Sequence, residues 1–386
     1  MPSATARLAD LVLPPPARPG DLLAAIATPA LVLDLQAFER NLDVMQAAAD
    51  AAGVALRPHA KAHKTPAIAL AQLQRGAVGI CCQKVSEALP FLQAGVRDIH
   101  ISNQVASVPM VELLAQMGRH GHISVCVDHA AQVVALGRAT AAQGSTLAVC
   151  IEIDIGQGRC GVDGADAVLQ LLDALVAHPQ LVFRGLQAYH GGAQHVRAPQ
   201  QRADVAARAA ERTAAVVAAL AAAGVACGTV TGSGSGSVEF DLASGVYTEL
   251  QPGSYVFMDA DYGRNQVDGV LRFEHSLFVA STVMSVGSGE RVVLDAGLKS
   301  LAVDSGMPLV WQAGAPSTTL DYAAANDEHG IVRPRVAGGA RPALGSQLLL
   351  VPGHCDPTLN LHDHLIALRH GVVEAVWPVA ARGLSR

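Results

Sequence analysis

Lysine is the scarce residue. Only four occur in 386 residues, Lys61, Lys64, Lys84 and Lys299, so a chemistry that needs a side-chain amine has four candidates. Charged residues of all kinds amount to 16%, and the balance is 27 − 33 = −6 with histidine neutral. No run of five basic residues is present, which removes the electrostatic reason to bind DNA or RNA. Long apolar runs are also missing. The longest uncharged stretch, Thr213–Val238, is rich in Ala, Gly and Ser and too weakly apolar to span a bilayer. The start, MPSATARLADLVLPPPARPG, lacks a basic head followed by an apolar core, so a soluble cytoplasmic chain is expected. Seven cysteines, an odd number, are scattered without a CxxC pair. That argues for a reducing compartment and against structural zinc.

What is present is a globular composition, 51% apolar, long enough for one large domain and a smaller one. After a proline-rich entry at Pro14–Gly20, short apolar runs alternate with Ala/Leu-rich helical stretches. Strands are expected at Ala30–Leu35, Ala55–His59, Gly79–Cys82, Asp98–Ser102, Ile123–Asp128, Ala148–Asp154, Phe183–His190, Thr229–Gly232 and Tyr247–Pro252. Helices are expected between them, for example at Gln36–Ala52, Pro66–Gly76, Val85–Ala94, Ala130–Ala142, Ala165–Ala177 and Arg202–Ala223. Alternation of this kind argues for parallel βαβ units. Eight strands from Ala55 onward suggest a (β/α)8 TIM-type barrel over residues 28–264. A doubly wound sheet is the rival, weakened by the absence of GxGxxG after the early strands. Near residue 265 the texture changes to closely spaced strand-like runs with Gly/Pro turns. An antiparallel β domain is therefore expected from residues 265–386, joined by 1–27.

The densest chemical signal is Arg57-Pro-His59-Ala-Lys61-Ala-His63-Lys64, at the end of the first barrel strand. If the strand continues, His59, Lys61 and His63 share one face. A lysine facing a barrel lumen is costly unless paired or functional, and burial lowers an amine pKa as imine chemistry requires. A solvated basic strand end is the bland alternative. Glu152 and Asp154 would share a face of strand five, followed by the loop arginine Arg159, which suits an anion. Strand six ends at Tyr189-His190, with His195 beyond, where barrel enzymes keep catalytic groups and where imidazole suits base catalysis. The loop Gly232-Ser233-Gly234-Ser235 follows strand seven. Backbone amides there suit a phosphate, and the Tyr255 hydroxyl is a candidate second donor. Near the end of the chain, His354 and Asp356 flank Cys355. On a strand the first two would share a face and the cysteine would point away. Imidazole plus carboxylate suits Mn²⁺, Mg²⁺ or Co²⁺. The segment Asn326–Gly330 is a candidate substrate neighbour.

Taken together, RPHAKAHK at Arg57–Lys64, GICCQKVSEALPF at Gly79–Phe91, GQGRCGV at Gly156–Val162, LQAYHG at Leu186–Gly191, SVEFDLASGVYTELQPGSY at Ser237–Tyr255, NDEHG at Asn326–Gly330 and GHCDPT at Gly353–Thr358 carry a resemblance. The chain resembles the alanine-racemase-like (fold type III) pyridoxal-phosphate enzymes, and among them the metal-activated D-threonine aldolase family, nearly end to end. The resemblance implies pyridoxal 5'-phosphate joined covalently to Lys61, with Arg159 and Tyr189 beside it. It implies a phosphate held by the Gly232–Ser235 loop with Gln251 and Tyr255 near, and a divalent cation, Mn²⁺ first and Mg²⁺ or Co²⁺ next, on His354 and Asp356. His195 is the candidate base, with His59 and His63 as runners-up. A D-β-hydroxy-α-amino acid substrate, retro-aldol cleavage to glycine and an aldehyde, and a homodimer follow from the same resemblance. The related D-serine dehydratases place a cysteine where Asp356 stands. Rival readings are a D-serine or D-threo-3-hydroxyaspartate dehydratase on the same fold, a non-catalytic pyridoxal-phosphate carrier, and a metal-dependent barrel hydrolase.

Overall fold

The computed structural model describes residues 12–287 and 289–386. Residues 1–11, which hold the start of the 1–27 segment, lie outside the described residues. Strand β1 (Ala30–Asp34) leads into helix α1 (Leu35–Ala52). The Asp34 carboxylate starts that helix by accepting from the Gln36 and Ala37 amides, and Gly53 ends it at φ 66°, a left-handed turn that glycine adopts without strain.

Eight parallel strands follow: β2 (Ala55–Leu56), β3 (Ile80–Cys82), β4 (Asp98–Gln104), β5 (His122–Val127), β6 (Leu147–Glu152), β7 (Leu181–Ala188), β8 (Thr229–Gly232) and β9 (Glu249–Leu250). They pair in the order β2-β9-β8-β7-β6-β5-β4-β3. A parallel bridge from His59 to Cys81 joins the two outer strands, so the curled sheet meets itself as the expected barrel does. The intervening helices are α2 (Pro66–Gln74), α3 (Val85–Gln93), α4 (Val108–Met117), α5 (Ala130–Gln143), α6 (Gly164–Val176), α7 (Pro199–Ala222) and α8 (Val238–Ser244). The sequence reading did not single out α4 or α8. Proline sits in the first turn of α2, α4 and α7, where its missing N–H costs nothing.

The second sheet is built from β1 with β10 (Leu277–Val286), β11 (Val292–Leu294), β12 (Leu309–Gln312), β13 (Ala315–Pro316), β14 (Leu320–Ala325), β15 (Gly330–Pro334), β16 (Gln347–Val351), β17 (His364–Arg369) and β18 (Val372–Pro378). Its main path runs β13-β12-β16-β10-β1-β17-β18, and β11, β15 and β14 continue from β10. All pairs are antiparallel except β1 with β17. Strand β1 falls inside the 28–264 segment by sequence but inside this sheet by pairing. One apolar core runs through both parts, from Leu56 and Ile99 in the barrel to Leu294 and Leu350 in the second sheet.

The barrel interior is polar toward the strand starts. Arg57 is buried and meets Glu249 at 2.9 Å and Asp98 at 2.6 Å, and Arg184 meets the same Glu249 at 2.5 Å. A buried carboxylate between two guanidiniums is satisfied without water. Burial alone would push the Glu249 carboxyl up, but Arg57 and Arg184 hold it below its ordinary range. Nearer the strand ends, His100 bonds Ser124 at 2.8 Å and Gln187 at 3.2 Å. Gln187 and Gln251 exchange amide hydrogen bonds, and Gln251 donates to Thr231. Among the described residues, no helix is long and apolar enough to cross a membrane.

Candidate active site

A cavity of about 200 Å³ opens at the strand ends, between the barrel and the second sheet. It is lined by Lys61, His59, Arg159, Tyr189, His195, Ser233, Gly234, Ser235, Gln251, His354 and Asp356, all of them expected from the sequence. Gln83, Ser102, Gln187, Gly253, Ser254 and Tyr262 also line it, and sequence reading missed these six as site residues. Gln83, Gln187, Gly253 and Ser254 lie inside the quoted motifs without having been singled out there, Ser102 and Tyr262 lie outside them, and only the folding of distant loops brings all six to one mouth.

Strand alternation did not place Lys61. The strand stops at Leu56 and the chain turns into a 3-10 helix at Ala60–Ala62. His59 caps that turn, its Nδ1 accepting from the Lys61 amide at 3.3 Å while Nε2 lies 2.8 Å from Ser102 Oγ. With Nδ1 an acceptor, Nε2 carries the proton and donates to Ser102. Burial, together with the Lys61 charge, holds His59 well below the usual imidazole range, so it is neutral with both nitrogens engaged. His63 does not reach the cavity. It is fully buried edge-on to Phe91, and burial pushes it down to about 3. The turn is anchored by Lys64, at φ 46°, whose Nζ meets Glu87 at 2.7 Å in a buried pair. Burial pulls the Lys61 amine down as the sequence suggested, but the Tyr189 hydroxyl and the Asp356 carboxylate outweigh it, and the net shift is upward.

The Arg159 loop is held from one end. Strand β6 stops at Glu152, so Asp154 does not share its inward face. Asp154 Oδ1 instead accepts from the amides of Gly156, Gln157 and Gly158 at 2.9–3.1 Å. Arg159 projects over the Tyr189 ring, 5.5 Å from its centroid, with Glu152 at 3.9 Å. His190 stays outside the cavity, capping the 3-10 turn Gly191–His195.

The serine-glycine loop divides in two. The Gly236 and Ser237 amides are occupied by Gln194 Oε1 at 2.8 and 3.2 Å. Ser233, Gly234 and Ser235 face the cavity. Ser233 has φ 76°, and its buried hydroxyl lacks a hydrogen-bond partner. An unpartnered hydroxyl on a strained backbone, next to small residues at the end of β8, fits a phosphate. Gly232 is a strand residue. A Cβ there would stand 1.9 Å from the Ala188 carbonyl oxygen, so its role is close packing. Tyr255 corrects an expectation: its hydroxyl accepts from Gln72 at 3.1 Å in the core, and the Tyr255 amide meets the loop, donating to Ser235 Oγ at 2.9 Å. A buried phenol pointing away from the loop cannot add a phosphate donor there.

His354 and Asp356 are joined by a helix start rather than by strand parity. Strand β16 ends at Val351, His354 is the N-cap of α9 (Cys355–Leu359), and Asp356 lies in its first turn. The Asp259 carboxylate ties this turn to the barrel end by accepting from the Cys355 and Tyr262 amides, each at 2.9 Å. Cys355 is buried and does not line the cavity. His354 Nδ1 is 2.8 Å from Asp304, which leaves Nε2 for a cation. Burial pulls His354 down, while Asp304 and Asp356 raise it further, to a net upward shift. Among the described residues no cluster of three His, Cys, Asp or Glu side chains is arranged to hold a metal. The pair therefore fits a hard cation that completes its shell with water or substrate. The Asn326–Gly330 segment is the turn between β14 and β15 and lies outside the cavity.

The model of the alanine racemase N-terminal domain matches residues 33–261, and that of a putative serine dehydratase domain matches 276–368. A D-threonine aldolase of Arthrobacter sp is 55% identical over 97% of this chain and 98% of its own. The chain belongs to the D-threonine aldolase family of alanine-racemase-like proteins. A 3-hydroxy-D-aspartate aldolase of Paracoccus denitrificans (strain Pd 1222) is 41% identical over 95% of each chain. The crystal structure of D-threonine aldolase from Filomicrobium marinum superposes with a TM-score of 0.93 at 48% identity, covering 96% of this chain and 100% of that one. This family is a family of carbon–carbon lyases, and pyridoxal phosphate is its expected cofactor.

Proposed function

We propose that the chain cleaves D-threonine and related D-β-hydroxy-α-amino acids to glycine and an aldehyde, using pyridoxal phosphate and a divalent cation. The supporting observation is that Lys61 and the His354/Asp356 pair, 293 residues apart from Lys61 to His354, line one cavity. Lys61 would hold the cofactor, Arg159 and Tyr189 would flank it, and Ser233–Ser235 would receive its phosphate. His354 Nε2 and an Asp356 oxygen would hold the cation, with Mn²⁺ favoured over Mg²⁺ and Co²⁺. When bound, the cofactor supplies an electron sink for charge at Cα and the cation a Lewis acid for the β-hydroxyl.

The chain's own residues do the rest. His195 accepts the β-hydroxyl proton at Nε2 as the Cα–Cβ bond breaks, its electrons passing to Cα and the hydroxyl carbon leaving as the aldehyde carbonyl. Arg159, 47% exposed at its side chain and loosely paired with Glu152 at 3.9 Å, is available to an anionic group of the bound molecules. The barrel network beneath keeps Gln187 and Gln251 fixed, so the mouth does not rearrange when charge develops.

Incubation with D-threonine, pyridoxal phosphate and Mn²⁺, with acetaldehyde and ammonia measured side by side, tests this reading. Glycine and acetaldehyde in equal amounts are expected. Ammonia and a keto acid would replace it with β-elimination, the reading that the match to a putative serine dehydratase domain keeps in view.

A further inference from the structure

His195 is half exposed, yet one of its nitrogens is committed. Nδ1 lies 2.6 Å from Asp261 Oδ2, and Asp261 is 5% exposed. The other carboxylate oxygen is taken by Arg197, with Arg264 at 3.6 Å. Arg197 also donates to the Asp261 carbonyl at 2.6 Å and to Asn265 Oδ1 at 2.7 Å. Asn265 in turn donates to the Gln194 carbonyl at 2.9 Å. Gln194 is the side chain that clamps the Gly236 and Ser237 amides. The imidazole is further backed by Tyr262, ring centroids 5.6 Å apart.

A carboxylate held this way can only accept. Its partner nitrogen must therefore donate, which puts the His195 proton on Nδ1 and the lone pair on Nε2. We propose that Asp261 is a positioning residue that locks the His195 tautomer and aims Nε2 into the cavity, building a carboxylate–imidazole pair from the segment that links the two sheets. The proposal rests on His195 as the base. An unlocked imidazole would hold its proton on Nε2 for part of the time and be unable to accept there. The fixed charge also stabilises the imidazolium that forms after proton transfer, as a carboxylate behind a catalytic histidine does elsewhere. Arg197 and Arg264 keep the carboxylate ionised. Burial pushes it up, but the Arg197 and His195 hydrogen bonds more than compensate, and Asp261 lies below the ordinary carboxylate range.

The test uses the cofactor-loaded enzyme, with diamagnetic Mg²⁺ for the spectra and Mn²⁺ for the kinetics. Side-chain ¹⁵N spectra of the wild type, with the His195 signals assigned by their loss in His195→Phe, should show Nδ1 protonated and Nε2 bare. In Asp261→Asn this signature should be lost, and kcat on D-threonine should fall about 10²–10⁴-fold, with KM within about threefold and the cofactor absorbance intact. Asp261→Glu should recover part of kcat. A wild-type spectrum with the proton on Nε2 overturns the proposal without any variant at Asp261. So does an Asp261→Asn enzyme with near-normal kcat while His195→Phe is at least about hundredfold down. Full kcat in His195→Phe overturns the base assignment itself, and the proposal with it.

Discussion

The cavity has two walls of different construction. The barrel wall is a layered network in which Lys61, Gln187, Gln251 and the serine-glycine loop sit above buried ion pairs and paired amides. The opposite wall is one short helix start, where His354 and Asp356 depend on Asp259 and Asp304 for their placement. The first wall is rigid because Glu249 is held by Arg57 and Arg184, and Gln187, Gln251 and Thr231 are bonded to one another, inside a closed ring. The second offers two donors and leaves coordination positions open. On the proposed reading, the first wall would hold the cofactor and the second an exchangeable cation, and the difference in construction is what separates the two roles.

The sharpest way to break the comparison is to strike each wall in turn. Lys61→Ala should abolish the yellow absorbance of lysine-bound cofactor and reduce turnover by at least about 10³-fold. Asp356→Ala, or exhaustive chelation, should reduce turnover by about 10²–10³-fold, several kcal/mol of lost charge stabilisation, while the absorbance stays. Mn²⁺ should restore the chelated enzyme. Full activity after chelation, or loss of the absorbance along with the metal, would merge the two walls into one.

The anchor of the barrel wall gives the next effect. Removing one partner from the buried Lys64–Glu87 pair leaves an uncompensated charge. Glu87→Gln should destabilise the protein by about 3 kcal/mol, read as a lower denaturant midpoint, with the Lys61 turn loosened. An unchanged midpoint would show that the wall does not lean on this pair.

The smallest effect is one histidine's share of the pH slope of stability, about 2 kcal/mol between pH 7 and 5. Burial pushes His63 and His100 down to about 3, whereas the unfolded chain binds those protons near 6.5. Between these values the unfolded state holds more protons. Stability is therefore full above about pH 6.5 and falls as pH drops toward 3, by about 1.4 kcal/mol per pH unit for each histidine. Denaturation midpoints at pH 7 and 5 should separate accordingly, and His100→Asn should remove its share of the separation. An identical slope in that variant would place the linkage outside the barrel interior.

Much of this molecule is legible in the chain itself. Apolar runs alternating with alanine-rich helices mark all eight barrel strands to within three residues at each end, because parallel βαβ units need that period. Tyr247–Pro252 overshoots β9, which keeps only Glu249–Leu250. One of the four lysines, Lys61, and a handful of motifs mark the cavity, because chemistry needs specific side chains. Strand parity misplaces His63 and Asp154, and at the His354 turn the expected facing holds for another reason, a helix start; in each case the strand had already ended. A two-residue repeat has no meaning in a 3-10 turn or at a helix cap. The Tyr255 hydroxyl turned out to serve the core, which no local pattern announces. Asp261 and Asp304, the carboxylates behind the two histidines, were equally invisible, since hydrogen bonds across 66 and 50 residues leave no trace in spacing. The sequence by itself determined which elements form and which chemical groups are available. Only the tertiary structure decided which of those groups face the same 200 Å³ and which nitrogen of each imidazole is left free, because both depend on partners that meet only after the chain has closed on itself.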